Sequence, residues 1–353
     1  MRQLCLLLGI LAAASSTSHA GLPPIAPIDA AFIASPAASQ LWTVSTRRLP
    51  HAPRRSSRRL LPDVSRYGSS RTWRPASPDE LLAPQRAPLT TVVLVHGNDT
   101  DDGWARSRGL GLYEALERGG GAPFRLIVWS WPAEYVAGGF RHDARVKAER
   151  ADSDAFYLAQ FISELSSDVP VQLLGYSLGA RVVTGGLHLL AGGSLAGTTF
   201  EPASNQGRPL IRATLIAAAI DDDWLLPGRR HGLALSVADH LVVWVNHNDR
   251  VLRWYRFLSP QGAAALGVRG VAAAHSLGQH RPKIEQVNVN PYVGGQHSWS
   301  GYAASPQVVQ ELRRDILRIA SRREKWVGGQ LAADSAEPGH GIRVHSEGLM
   351  LHP

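Results

Sequence analysis

The chain has 353 residues, of which 44% are hydrophobic and 19% are charged. This composition is too apolar for a wholly disordered chain, and 34 glycines and 23 prolines are too many for a fibrous one. The net charge is +8, but residues 21–88 alone carry 10 arginines against 4 acidic side chains. Residues 89–353 carry 26 basic and 25 acidic side chains. The body of the protein is therefore electrically balanced, and no specific nucleic-acid binding is predicted for it.

The first 20 residues have the pattern of a secretory signal peptide. Arg2 supplies the charge, Leu4–Ala14 form an uncharged apolar stretch of 11 residues, and Ser18-His19-Ala20 offers small residues for cleavage. No stretch approaches the ~18 apolar residues that a transmembrane helix needs. We expect a secreted or periplasmic protein, with an uncleaved N-terminal anchor as the alternative. Cys5, the only cysteine, would leave with the signal, so no disulfide is predicted.

Residues 21–88 are rich in Pro, Ala, Ser and Arg and show no sustained apolar period. Such a composition buries too little surface to offset the entropy of ordering, so we predict a largely disordered basic leader. It would serve as a solvated linker, or attach the protein to an anionic surface such as cell wall, lipid head groups or nucleic acid. Residues 324–353 are predicted to be a second tail. Residues 89–323 then form a single domain with a sizeable core.

Between residues 89 and 323, short apolar strands alternate with helices. The predicted strands are Thr90–His96, Phe124–Trp131, Val171–Leu174, Ile211–Ile220, Leu241–Val245 and Lys283–Val289. The predicted helices are Trp104–Glu117, Val146–Leu165, Leu178–Leu190 and Pro306–Ile319. Uninterrupted apolar strands separated by helices predict an α/β fold with a doubly wound, mostly parallel sheet. Functional groups should then gather at the carboxyl ends of the strands.

The motif Gly175-Tyr176-Ser177-Leu178-Gly179 fits Gly-x-Ser-x-Gly between a predicted strand and a predicted helix. A sharp strand-to-helix turn of this kind lifts a serine hydroxyl above the sheet, and its glycines permit close approach of the backbone. Ser177 is the candidate nucleophile; the alternative is an ordinary helix cap. The backbone amides of Leu178 and Asn98, the latter in the loop after the first strand, are the candidate oxyanion donors. His96 is interpreted as a residue that braces this loop.

An activated serine needs a base, and the base needs an orienting acid. Asp249 follows the Leu241–Val245 strand and His297 follows the last strand, which gives the chain order serine, acid, histidine. Two sets of alternatives remain. The acid could come from Asp221, Asp222 or Asp223, which otherwise would open a helix near Trp224; the base could be His247, His275 or His280. No metal-binding spacing, Walker loop or dinucleotide fingerprint is present, so neither a metal nor a cofactor is predicted.

These features resemble the α/β-hydrolase superfamily, and in detail a bacterial branch filed as domain of unknown function nine hundred. The resemblance covers roughly residues 90–322 and rests on Val95-His96-Gly97-Asn98, Trp129-Ser130-Trp131-Pro132, the serine motif through Arg181, Ala219–Asp223 and Asn246–Leu252. It implies the α/β-hydrolase fold and a serine-based triad, and it leaves the substrate open. Tyr176 stands where such proteins often have histidine, which we expect to alter the floor of the pocket. Only about 20 residues separate Ile220 from Leu241, so no large cap domain is expected.

The sequence thus favours a secreted serine hydrolase, esterase- or lipase-like, that cleaves a carboxylic ester or related acyl bond. Its partner would be a small-molecule or lipid-like acyl substrate. Four tryptophans near the proposed site are expected either to wall an apolar pocket or to pack in the core: Trp104, Trp131, Trp224 and Trp299. The rival hypothesis is a non-catalytic binding protein on the same scaffold, attached to an anionic surface by its leader.

Overall fold

The computed structural model describes residues 38–51, 61–85, 88–201 and 207–327. The predicted signal peptide, residues 21–37 of the leader and residues 328–353 of the tail lie outside these ranges. The residues in these ranges belong to one compact unit. Among the helices of the described ranges, none has both the length and the apolar character needed to cross a bilayer.

Nine of the described strands form one sheet. In chain order the strands are β1 (Gln40–Ser45), β2 (Asp63–Tyr67), β3 (Trp73–Ala76), β4 (Thr90–Val95), β5 (Phe124–Ser130), β6 (Val171–Tyr176), β7 (Ser194–Leu195), β8 (Thr198–Thr199), β9 (Ile211–Ile216), β10 (His240–Val245) and β11 (Ile284–Asn288). The order across the sheet is β11-β10-β9-β6-β4-β5-β1-β2-β3, while β7 and β8 pair separately. All neighbours from β11 to β1 are parallel, and β2 and β3 add antiparallel partners. Strands β4, β5, β6 and β9 are buried along their whole length, as apolar strands covered on both faces must be.

Helices cover both faces of the sheet. They are α1 (Pro78–Leu82), α2 (Asp102–Arg118), α3 (Phe140–Ser163), α4 (Gly179–Leu190), α5 (Ala234–Val237), α6 (Leu266–Arg269), α7 (Asn290–Val293), α8 (Trp299–Ala303) and α9 (Pro306–Val327). One core contains apolar side chains of α3, α4 and α5, and the other contains those of α2, α8 and α9. The predicted doubly wound, mostly parallel α/β-hydrolase fold is therefore confirmed, and the six strands and four helices predicted between residues 89 and 323 are all present.

The prediction of a disordered leader is wrong for residues 40–45 and 63–76, which form three strands, while residues 52–60 lie outside the described ranges. Strand β1 pairs parallel with β5, with Trp42 beside Ile127, and its Trp42 and Val44 side chains are buried in the main core. A strand needs only 5–6 residues, so a short apolar run can be ordered inside a segment whose average composition is polar. Strands β2 and β3 extend the sheet from there. The domain therefore begins well before residue 89.

The other boundaries also differ in detail. Helix α9 continues to Val327, so the predicted tail starts later than residue 324. The helix expected to begin near Trp224 does not form, because residues 221–233 make a series of turns and α5 starts only at Ala234. Between Ile216 and His240 there are these turns and one short helix. No large cap domain is inserted at this point of the described chain.

Candidate active site

The parallel strands bring six loops to one edge of the sheet. Because β11, β10, β9, β6, β4 and β5 all run the same way, the residues that follow them meet at their carboxyl ends. These residues include Asn98 after β4, Trp131 after β5 and Ser177 after β6. Asp249 follows β10 and His297 follows β11. The topology therefore accounts for the meeting of groups that lie up to 199 positions apart (residues 98 to 297).

Ser177 occupies a sharp turn between β6 and α4. Its backbone φ is +53°, a left-handed conformation that costs a residue other than glycine roughly 1–3 kcal/mol. Two glycines allow the chain to pass so closely. A Cβ at Gly179 would lie 2.2 Å from the carbonyl oxygen of Val95, and one at Gly97 would lie 2.9 Å from the Ser177 Cβ. The strained serine is thus fixed between the β4 loop and the start of α4.

Ser177, His297 and Asp249 form one hydrogen-bonded chain. The Ser177 Oγ lies 3.0 Å from the His297 Nε2, and the His297 Nδ1 lies 2.8 Å from the Asp249 Oδ2. Both distances fall within the range of real hydrogen bonds. Since the carboxylate accepts the Nδ1–H, the neutral ring presents its Nε2 lone pair to the serine hydroxyl. The structure brings together the three residues that the sequence nominated.

The carboxylate of Asp249 is held by the backbone of its own loop. Its Oδ1 accepts hydrogen bonds from the amides of Val251 and Leu252, at 2.9 and 2.8 Å, and the side chain is fully buried. Oδ2 is left for the histidine. Asp249 is therefore oriented by the backbone of the second and third residues that follow it in the chain.

The loop that carries His297 is fixed by two side chains that sequence reasoning did not assign to this task. The buried Asn246 donates through its Nδ2 to the carbonyl of Gln296 at 3.1 Å. The Tyr176 hydroxyl donates to the carbonyl of His297 at 2.7 Å, and its ring lies 5.8 Å from the imidazole. Burial raises the pKa of the Tyr176 hydroxyl above its usual value, which keeps it a donor. Tyr176 thus fixes the loop of the base and packs against its ring.

The alternative acids and bases lie elsewhere. Asp221 accepts from the Tyr255 hydroxyl at 2.8 Å and from the Ser259 hydroxyl at 3.1 Å. Asp222 pairs with Arg269 at 3.4 Å and Asp223 with Arg229 at 3.3 Å. The described contacts of His247, His275 and His280 include neither Ser177 nor Asp249. The geometry favours Asp249 and His297 over all six.

The candidate oxyanion donors are the amides of Asn98 and Leu178. Leu178 is the cap residue of α4, so its amide lies at the positive end of that helix. Asn98 is followed by Asp99, whose φ is +47°, and the Asp99 carboxylate accepts from the Lys147 Nζ at 2.7 Å. Lys147 is fully buried on α3 and also donates to Asp143 at 2.9 Å. In the described chain neither amide donates a hydrogen bond, which leaves both available to an anion.

Arg47, just past the end of β1, links the loops on this side of Ser177. Its Nε donates to the Ser130 Oγ at 2.9 Å and its Nη2 donates to the Thr100 carbonyl at 2.8 Å. Its Nη1 contacts Glu134. The β4 loop and the β5 loop are therefore held by a residue from the segment that we expected to be disordered. Arg47 lies among other arginines, and nothing in the local sequence distinguishes it from them.

His96 braces the same loop. Its Nδ1 lies 2.9 Å from the Gly97 carbonyl, its Nε2 accepts from the Trp131 amide at 3.2 Å, and the two rings stack at 5.7 Å. Burial lowers the pKa of His96 to about 3, so the ring is neutral at ordinary pH. The pattern of one donor and one acceptor fits that neutral ring.

The four tryptophans divide between core and surface. Trp131 is fully buried, and Trp299 is buried against Tyr176 at 5.4 Å. Trp224 is nearly buried and lies about 5 Å from the guanidinium groups of both Arg181 and Arg230. Only Trp104, of these four, is well exposed. Packing accounts for three of them.

The comparisons with known proteins give structural neighbours alone. No family model matches the chain, and no curated protein matches it. The chain is similar to acyl-protein thioesterase 2 of Zea mays, at 14% identity over 67% of this chain and 96% of that one, with a TM-score of 0.39. It is similar to an inhibited esterase B from Lactobacillus rhamnosis, at 12% identity over 84% of this chain and 92% of that one, with a TM-score of 0.41. It is also similar to the catalytic core of acetyl xylan esterase from Trichoderma reesei, at 14% identity over 67% and 98%, with a TM-score of 0.34.

Proposed function

We propose that the protein is a serine hydrolase that cleaves a carboxylic ester or a related acyl bond through an acyl-enzyme on Ser177. The observation that supports it most is the hydrogen-bonded chain from Ser177 through His297 to Asp249, with the serine on a strained turn. Strain of this kind is maintained where a function requires it. The narrower resemblance to the domain of unknown function nine hundred stays a prediction.

In the proposed reaction the Ser177 Oγ attacks the acyl carbon while its proton passes to the His297 Nε2. Asp249 accepts from the opposite ring nitrogen and stabilises the imidazolium that forms. The amides of Leu178 and Asn98 would bind the negative carbonyl oxygen of the tetrahedral intermediate. When the C–O bond breaks, the leaving alcohol takes the proton from His297. Water then attacks the acyl-enzyme with His297 as base, which releases the acid and restores Ser177.

The location and the partners of this reaction remain proposals as well. The signal-like residues 1–20 favour a secreted or periplasmic enzyme. A basic leader could attach the protein to an anionic surface, but Arg47 of that segment is engaged within the domain. We propose a small-molecule or lipid-like acyl substrate and no cofactor.

The test is hydrolysis of a chain-length series of chromogenic esters by the wild type and by Ser177→Ala. We expect turnover with a preference for some acyl length, and loss of turnover in the variant with an unchanged melting temperature. Ser300→Ala, at an exposed serine of α8, is the matched control and should behave as the wild type. If the folded wild type turns over no ester, thioester or amide, the non-catalytic binding protein replaces this proposal.

The oxyanion assignment has its own test, because Asn98 is exposed and could act through its side chain. Asn98→Ala should lower kcat by less than about threefold if only the backbone amide donates. A loss of about 10²–10³ in kcat would mean that the side chain is the donor.

A further inference from the structure

The turn that follows Asp249 exposes large apolar side chains to solvent. Residues Leu252–Phe257 form a short 3₁₀ helix in which Leu252 points into the core. On the other side, Trp254 is 67% exposed, Phe257 is 55% exposed and the preceding Val251 is 57% exposed. The two rings lie 5.6 Å apart and form one patch. Exposing an aromatic pair in this way forgoes the free energy of burial, which marks a surface that binds something.

Positive charge surrounds this patch. Residues 250–257 contain three arginines and no Asp or Glu. Arg250, Arg253 and Arg256 are exposed, and within the described chain none of the three makes an ion pair. The Arg256 guanidinium lies 4.9 Å from the Phe257 ring centre. Although residues 89–353 carry 26 basic and 25 acidic side chains, this turn is cationic and apolar together.

The patch belongs to the same edge of the sheet as Ser177. It follows β10, and three other exposed aromatic side chains follow β4 and β5 on the opposite flank of Ser177: Trp104, Tyr135 and Phe140. Of the nine large apolar side chains exposed in the described residues, six therefore lie in the segments that follow β4, β5 and β10. In the strand order, Ser177 after β6 lies between the segment after β10 and the segments after β4 and β5.

We propose that residues 250–257 dock the protein on an anionic lipid–water interface. Aromatic rings and aliphatic side chains favour the boundary between head groups and acyl chains, and arginines extend from it toward phosphate. Each basic side chain near an anionic leaflet adds attraction that falls off within a Debye length. The docked orientation would present Ser177 to acyl esters of that surface. This presentation of a substrate rests on the proposed function, whereas the docking itself does not.

The experiment measures co-sedimentation of the full-length Ser177→Ala protein with vesicles. One set is pure phosphatidylcholine and the other contains equal parts of phosphatidylcholine and phosphatidylglycerol. We expect binding to the anionic set that weakens as salt rises. Arg253→Gln with Arg256→Gln should lower the partition coefficient by about tenfold or more. Trp254→Ser with Phe257→Ser should lower the partition coefficient by a similar factor. The weaker binding that remains should still fall as salt rises.

Matched controls lie at the opposite edge of the sheet. Arg118→Gln at the end of α2 and Leu317→Ser on α9 each change an exposed residue of the same type. Both should bind vesicles as the parent does. Because the binding assay uses a protein without the serine, its result does not depend on whether the enzyme hydrolyses esters.

Three results would overturn the proposal. Equal binding by the parent and both double variants would place any vesicle binding elsewhere, such as in the N-terminal arginines. Self-association that the Trp254→Ser and Phe257→Ser changes abolish, without vesicle binding, would make the patch a contact between copies of the chain. Tighter binding to a single-stranded oligonucleotide than to anionic vesicles would assign the arginines and rings to nucleic acid.

Discussion

The two sides of Ser177 are held in different ways. On the β10–β11 side, Asp249 is oriented by the amides of Val251 and Leu252, and His297 by two neutral hydrogen bonds to its loop. On the β4–β5 side, the loops are fixed by the charged groups of Arg47 and Lys147. Backbone amides and neutral side chains therefore hold the β10–β11 side, and charged side chains hold the β4–β5 side.

The two kinds of contact predict which side of Ser177 tolerates substitutions. The hydrogen bonds that orient Asp249 come from backbone amides of its own loop, so a substitution elsewhere leaves them intact. A buried ionic group depends on partners from several elements, and removing one leaves the others unpaired at a cost of several kcal/mol. We expect mutations far from Ser177 in sequence to disturb the β4–β5 side more than the acid and base.

The largest effect on activity should come from Asp249 on the β10–β11 side. Asp249→Asn keeps an oxygen to accept the two backbone hydrogen bonds. It places an NH₂ donor next to the His297 Nδ1 instead of the acceptor Oδ2. We expect kcat to fall by about 10³–10⁴ with the protein folded, because the imidazole loses its tautomer. Asp222→Asn is the control and should keep most of the activity in the same ester assay. The opposite pattern would move the acid to the β9 loop.

The next effect concerns stability on the β1 side. Asp154 is buried and accepts from the Thr46 hydroxyl at 2.5 Å and the Trp129 indole at 3.1 Å. Burial raises its pKa to about 7 from 3.8, so its contribution to stability is complete below pH 4 and is lost as pH rises through 7. Asp154→Asn should remove this loss, which is on the order of a few kcal/mol at most. Urea unfolding at pH 4.5 and 7.5 measures it.

His96 acts in the opposite direction, since its lowered pKa costs stability as pH falls below 6.5. The quantity to compare is therefore the difference in the free energy of unfolding between wild type and Asp154→Asn at each pH. A difference that is constant from pH 4.5 to 7.5 would mean that Asp154 is ionised throughout.

Arg47 tests the claim that an N-terminal side chain shapes the site. Arg47→Ala should lower kcat by up to about 10²-fold, because the β4 loop with Asn98 would shift away from Ser177. The neighbouring Arg48, which is exposed, supplies the control Arg48→Ala with unchanged kcat. Steady-state kinetics and a melting curve are measured together. Equal activity of the two folded variants would show that Arg47 has no part in positioning the loop.

The smallest effect is expected at Tyr176. Tyr176→Phe keeps the ring against His297 and removes one hydrogen bond to the His297 carbonyl. A neutral hydrogen bond is worth about 1 kcal/mol, so kcat should fall about fivefold with KM little changed. A loss as large as that of Asp249→Asn would mean that the hydroxyl touches the substrate directly.

The same contrast explains what the sequence could predict. Asp249 and His297 follow strands with clear apolar runs, so position and chain order were enough to nominate them. Arg47 and Lys147 lie in a polar stretch and on a helix, and their role depends on three-dimensional partners that no local pattern encodes. Strand β1 was missed for a related reason, since six residues next to β5 outweigh the composition of their surroundings. The fold of residues 89–323 was predictable, and the N-terminal edge of the sheet was not.

Labelling by a fluorophosphonate, followed by peptide mass spectrometry, tests most directly whether Ser177 is an activated nucleophile. If Ser177 is activated by His297 and Asp249, one phosphonate per chain should appear on Ser177, and the rate should collapse in Asp249→Asn. Labelling of a different serine, or equal labelling of wild type and Ser177→Ala, would contradict the account.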